Sequence, residues 1–353
     1  MKNSETDNMH QVAEKYWDYI TQNYGTDFCA LKDDDKNNIY LRTYFSRSFQ
    51  ESYTIFNNLF SNNLILSTLN KKDLIRILDI GTGTGGDIFG FIEVFERYFE
   101  GKDVRFYPIE GNKETKKIFM KIFFNFIKDR KNTYKLVKTP IKTITEYNSE
   151  QFVKYVKKHI SAKLFDIILS FKFISENVVN LSYYDYMVSS NSLIIENGIV
   201  LIADTTNHSN GNYNSMILLR NLKEYKKNIY ESRDNFRLLP ILPRPCSRLD
   251  NKIDVKFRYK KGIYKFESRD VLCNSKNSMN CFLQHEFSFN NDNDKERLCW
   301  VLLCSGKLGE VLSAIYMKKD SNNKYIIGER GCEKNTCQLI NDNIFDEKSA
   351  LFF

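Results

Sequence analysis

Three glycines and two carboxylates have the clearest chemistry to offer in this chain. Gly81, Gly83 and Gly86 fit G-x-G-x-x-G within ILDIGTGTGG, residues 77–86, with Gly85 as an extra. Asp79 stands two residues before the first glycine, and Glu110 closes the apolar run VRFYPIE downstream. Positions without a side chain let a turn close and let backbone N–H groups approach a ligand. Context strengthens the pattern, because Ile75–Ile80 reads as a buried strand and Ile88–Phe99 as the helix after it. A carboxylate at 79 sets like charge against the pyrophosphate that a dinucleotide brings to such a turn, and favours a ligand with cationic groups instead. The plainer reading of the same residues is a tight strand–helix turn that binds nothing.

LDIGTGTG resembles motif I of the class I S-adenosylmethionine-dependent methyltransferases, (D/E)-x-G-x-G-x-G, and the likeness runs from about Ile75 to Asp204. S-adenosylmethionine carries the ammonium and sulfonium that Asp79 would welcome. The resemblance implies that Asp79, Gly81, Thr82, Gly83 and Gly85 bind the methionine end and that Glu110 accepts both ribose hydroxyls. Relatives often follow the third strand with an Asp or Asn for the adenine amino group. Here the sequence is KTPIKTI, so backbone near Thr139 and Ile141 is expected to stand in.

The fourth strand, Leu164–Leu169, runs into Ser170-Phe171-Lys172-Phe173. Ligands of open parallel sheets lie beyond the carboxyl ends of the strands, so Ser170 and Phe171 should border the cofactor and Ser170 and Lys172 the acceptor. The Asp/Asn-Pro-Pro-aromatic motif of enzymes acting on exocyclic nitrogens is missing there, and so is the Pro-Cys of a thiolate mechanism. The fifth strand, Ile199–Asp204, follows an Asn197-Gly198 turn and leads to His208, a candidate base whose plainer reading is a solvated loop residue.

The elements that must position these residues form an α/β fold: a doubly wound Rossmann-like methyltransferase sheet with an N-terminal helical cap and a C-terminal β-rich elaboration. Residues 1–70 form the cap, with helices expected over Val12–Tyr24 and Tyr40–Leu59, an aromatic stripe packed inward, and Arg42 and Arg47 facing the cleft. Residues 71–233 form the S-adenosylmethionine-binding core, with a third strand at Tyr134–Ile141. Residues 234–353 complete the sheet around an insertion. Pro240, Pro243 and Pro245 crowd into LLPILPRPC, which reads as a rigid connection at that boundary. Phe282–Phe289 and Leu298–Cys304 should then be the antiparallel pair that closes the sheet.

With 52 basic against 44 acidic residues the chain carries a net charge of +8, which permits an RNA or other acidic acceptor and equally a small molecule or peptide. No run has the length and apolarity of a membrane span, and the first residues lack a secretion signal, so a cytoplasmic protein is the expectation. Seven of the eight cysteines lie in the last third without C-x-x-C spacing. Arg-Pro-Cys246, Cys273 and Asn-Cys281-Phe282 are similar to the ribosomal small-subunit methyltransferase-like family, and that resemblance implies Cys246, Cys273 and Cys281 as candidate metal or cluster ligands. Cys299 and Cys304 read as small core residues.

Overall fold

The computed structural model describes residues 45–142, 144, 147–174, 179, 181–205, 214–231, 237–242, 258–260, 263–265, 285–288, 295–314, 317–319 and 325–327. Its centre is a mixed sheet in the order β3-β2-β1-β4-β5-β10-β6, with β9 paired to β10. The strands are β1 (Leu74–Ile80), β2 (Asp103–Ile109), β3 (Thr133–Leu136), β4 (Phe165–Phe171), β5 (Ile194–Thr205), β6 (Leu238–Leu242), β9 (His285–Ser288) and β10 (Lys295–Ser305). Two small hairpins lie apart from it, β7 (Arg258–Lys260) with β8 (Ile263–Lys265), and β11 (Met317–Lys319) with β12 (Tyr325–Ile327). β1 to β5 are parallel, and β10 runs antiparallel to both β5 and β6. The order reverses between β1 and β4. That crevice, at the carboxyl ends of the strands, is where an open α/β sheet takes its ligand.

Helices cover both faces, which is why the central strands read as continuous apolar runs. In chain order the helices are α1 (Ser46–Phe60), α2 (Asn63–Asn70), α3 (Gly86–Tyr98), α4 (Lys113–Phe126), α5 (Ser149–His159), α6 (Tyr183–Asn191), α7 (Asn214–Glu231) and α8 (Gly306–Ala314). Alternate residues of each strand feed opposite cores. Ile77, Phe106 and Ile167, in register with one another, enter the core under α1 to α4 and α8. Leu78, Tyr107 and Ile168 enter the core under α5 to α7. The first core is strongly aromatic: Phe56 meets Phe91 edge-on at 4.8 Å between centroids, and Phe95 stacks on Phe99 at 4.2 Å. Such pairs add to the stability that burying their area already provides.

Helix α1 of the expected cap is part of this core. Phe49, Tyr53, Phe56 and Phe60 are buried, and α1 approaches α3 closely at Gly86 and Gly90. A Cβ on Gly86 would stand 2.6 Å from the Phe45 carbonyl oxygen, and one on Gly90 2.9 Å from the Tyr53 nitrogen. Only glycine permits that separation. The expected helix Val12–Tyr24 and Arg42 lie outside the described residues, and Arg47 sits half-buried in the first turn of α1.

The chain departs from expectation in three places. The third strand ends at Leu136 rather than Ile141. Val137 still donates to the Phe106 carbonyl, but Pro140 has no N–H to continue the ladder. The fifth strand begins at Ile194, and the expected Asn197-Gly198 turn is an irregularity inside it, with Asn197 at φ +59°. There the Asn197 side-chain oxygen accepts from the Leu308 N–H, while Ser305 accepts from the Gly198 N–H, so the bend ties β10 and α8 to β5. Finally, LLPIL is not a connection. It is β6, an edge strand against β10, where Pro240 is tolerated because one side of an edge needs no ladder bond. The expected antiparallel pair is present, β9 lying against the first part of β10, and β6 adds a second partner along the last part of β10. Among the described residues no helix is long and apolar enough to cross a membrane.

Candidate functional site

β1 delivers Asp79 to the crevice and then turns sharply. Gly81, Gly83 and Gly85 have φ of +78°, +54° and +83°, a region that other residues enter only with strain. The turn is fastened to β2, since the N–H groups of Gly81 and Thr82 donate to the Ile109 carbonyl at 2.9 and 3.3 Å. At Gly81 the missing side chain is also needed for space. A Cβ there would lie 2.5 Å from Cδ2 and Cγ of Phe173, whose ring packs on the first glycine. Gly85 hands the chain to α3.

Asp79 is fully buried, and neither carboxylate oxygen has a hydrogen-bond partner among the described residues. Burial, and after it the neighbouring Asp87 carboxylate, hold its pKa well above the usual carboxylate range. Asp87, in the first turn of α3, is likewise buried, and burial raises its pKa to about 6 against the opposing pull of the Ile88 N–H and, further down, Lys172. Its backbone carbonyl accepts from the Ser52 hydroxyl at 2.5 Å, which ties α1 to this turn. Two buried acids side by side favour a cationic ligand.

Glu110, just past β2, is half-buried and spans the site. Oε2 accepts from the Gly83 N–H at 2.8 Å and Oε1 from the Asn112 N–H at 2.7 Å. Each carboxylate oxygen can accept more than one hydrogen bond, so both keep capacity for a vicinal diol.

Thr139 is buried next to β2. Its hydroxyl donates to the Pro108 carbonyl, and its hydroxyl and carbonyl oxygens accept from Lys116 Nζ at 2.7 and 2.9 Å. Lys116 comes from α4 and is only 6% exposed. Burial lowers its pKa, while Glu110 acts to raise it.

Ser170 and Phe171 end β4. The Ser170 hydroxyl is buried without a partner among the described residues, whereas the Phe171 side chain joins the aromatic core. Tyr186 donates to the Leu169 carbonyl at 2.9 Å, and burial followed by the Asp79 charge keeps its phenol protonated. Lys172 adopts φ +52°, and its ammonium lies 2.9 Å from Oε2 of Glu51, a fully buried residue of α1. That ion pair, rather than an open acceptor face, is where the structure places Lys172. At the end of β5, Asp204 accepts from the Tyr183 hydroxyl at 2.9 Å, and Cys299 is a buried core thiol beside it. His208, Cys246, Cys273 and Cys281 lie outside the described residues, among which no group of three or more possible metal ligands occurs.

The crevice thus gathers Asp79, Gly81, Thr82, Gly83, Gly85 and Glu110 on one side and Ser170 on the other. Sequence reasoning missed Glu51, Asp87 and Lys116, while Phe173 ends the tetrapeptide that the sequence already directs at the crevice. Asp87 alone carried a signal, an acid in the first turn directly after the glycines.

No protein-family model matches the chain. No curated protein matches it either. Among solved structures, the chain is similar to the plantazolicin methyltransferase BpumL in complex with SAH, at 12% identity and a TM-score of 0.38, over 86% of this chain and 99% of that one. The O-methyltransferase from Bacillus cereus in complex with SAH is 8% identical with a TM-score of 0.34, over 83% and 100%. The fibrillarin/Nop5p complex is 11% identical with a TM-score of 0.29, over 43% and 61%.

Proposed function

We propose that this chain binds S-adenosylmethionine across the ends of β1 and β2 and transfers its methyl group. One observation carries the reading: a fully buried Asp79 carboxylate with neither oxygen partnered among the described residues, beneath a left-handed glycine turn. An isolated buried charge is costly unless something compensates it. An ammonium does so, and a pyrophosphate would add to the repulsion already present between Asp79 and Asp87.

The residues fit this donor along its length. Asp79 and Asp87 would face its ammonium, Gly81 to Gly85 would pass its backbone-hugging portion, and Glu110 would accept the ribose hydroxyls. Ser170, whose hydroxyl has no partner among the described residues, would border the reacting end. Bound there, S-adenosylmethionine supplies an electrophilic methyl carbon whose leaving group is a neutral thioether. The chain's own task is then alignment and exclusion of water. Lys172 is engaged with Glu51, so removal of an acceptor proton falls to His208 in this reading.

Titration calorimetry with S-adenosylmethionine and with NAD, on wild type and Asp79→Ala, tests the reading. Binding of the sulfonium ligand alone, weakened at least tenfold by the substitution, is expected. Binding of NAD, or no loss in the variant, overturns it. Transfer of labelled methyl groups into RNA, peptide and metabolite pools then identifies the acceptor, and transfer to none of them would leave a binding module. An RNA acceptor is compatible with the net charge of +8 and requires affinity that falls steeply with salt, whereas a small molecule or peptide does not.

A further inference from the structure

Lys116 is a buried cation on α4, and the donor site as described gives it no work. It lies at a definite place. The proposed donor would run along the strand ends from Asp79 on β1 to Glu110 on β2, so its next portion, the purine, would lie on the β3 side. Lys116 Nζ is on that side: it bonds both oxygens of Thr139, just past β3, and it feels the Glu110 charge. Thr139 is itself fixed to Pro108 of β2. An ammonium has three hydrogens and Thr139 takes two, which leaves one.

We propose that Lys116 is the specificity-determining residue for the purine end of the donor, giving its remaining hydrogen to an acceptor atom of the base. The inference rests on the donor assignment above. Its chemistry differs from recognition through a carboxylate or amide oxygen, which accepts from the exocyclic amino group and so demands adenine. A donor reads only acceptor atoms. Hypoxanthine keeps the ring acceptors at N3 and N7 and adds one at its 6-oxo group, so a lysine contact survives the exchange where an acceptor contact does not. Rejection of an analogue by a buried polar contact left unpaired is large, so the two modes separate cleanly.

The test is calorimetry of wild type, Lys116→Met and Lys116→Arg with S-adenosylhomocysteine and S-inosylhomocysteine, with circular dichroism as the check on folding. Wild type is expected to bind the two within about fivefold of each other. Lys116→Met is expected to lose at least tenfold for both, and Lys116→Arg to retain most of the affinity. Rejection of the inosyl compound by more than a hundredfold in wild type overturns the proposal, as does unchanged binding by a folded Lys116→Met. Should that variant fail to fold, the wild-type ratio decides alone. Failure of wild type to bind S-adenosylhomocysteine at all would instead count against the donor assignment.

Discussion

The Lys172 ammonium and the Glu51 carboxylate meet at 2.9 Å, joining the loop after β4 to the middle of α1. Glu51 is fully buried and Lys172 nearly so, so removing one partner strands the other in a medium that solvates it poorly. Lys172→Met is therefore expected to lose about 3 kcal/mol of stability in urea denaturation, in the range for broken buried pairs. The double variant with Glu51→Gln should recover much of that loss, because no stranded charge remains. A double-mutant cycle with coupling below about 0.5 kcal/mol would show that the pair is not a unit.

Asp79 and Asp87 make donor binding depend on pH, with a sign that follows from their direction of shift. Both carboxyl groups hold protons more tightly than a free carboxylate, Asp87 to about 6 and Asp79 well above the usual range. A cationic donor pairs with the ionised forms, so binding releases protons and affinity rises with pH through about 6 and beyond. For stability the sign is opposite. Between the unfolded value of 3.8 and about 6 the folded state binds more protons at Asp87, so this group's contribution falls as pH rises. Calorimetry in buffers of different ionisation enthalpy measures the protons released. A pH-independent affinity in wild type, or an unchanged pH slope in Asp79→Asn, would remove the linkage.

Gly81 and Gly83 look equivalent in the sequence, yet the structure separates them. Both have positive φ, which costs another residue roughly 1–2 kcal/mol. A Cβ at 83 meets nothing nearer than 3.9 Å, while one at 81 enters the Phe173 ring at 2.5 Å. Gly83→Ala should lose only the backbone cost, and Gly81→Ala distinctly more. Adding Phe173→Ala should rescue Gly81→Ala in part by removing the clash and leaving the strain. Equal melting temperatures for the two single variants would contradict this.

What could be read from residue order follows from how local each signal was. β1, its glycine turn and α3 announced themselves because strand, turn and helix are contiguous and each has its own pattern. Glu110 was legible for the same reason, an acid that ends an apolar run. Lys116 was not, since KETKK looks like any solvated helix face until Thr139, more than twenty residues away, turns out to receive the amine. Glu51 was hidden in the same way, its partner Lys172 lying across the fold. Pro240 misled because prolines mark connections far more often than edge strands, and only pairing with β10 shows the difference.

Gly86 and Gly90, one helical turn apart on α3, set the distance of α1 from the site. Their α-carbons face the α1 backbone near Phe45, Phe49 and Tyr53, so any side chain there must push the helices apart. Moving α1 would disturb Ser52 on the Asp87 carbonyl and Glu51 on Lys172 together, because both sit on the same stretch of helix. Gly90→Ala is thus expected to cost more than the gain of about 1 kcal/mol that alanine normally brings inside a helix, and to weaken donor binding although residue 90 is remote from the crevice. Denaturation and calorimetry on the same protein measure both effects. A Gly90→Ala variant as stable as wild type, with unchanged donor affinity, would mean that α1 can shift without carrying the acidic site with it.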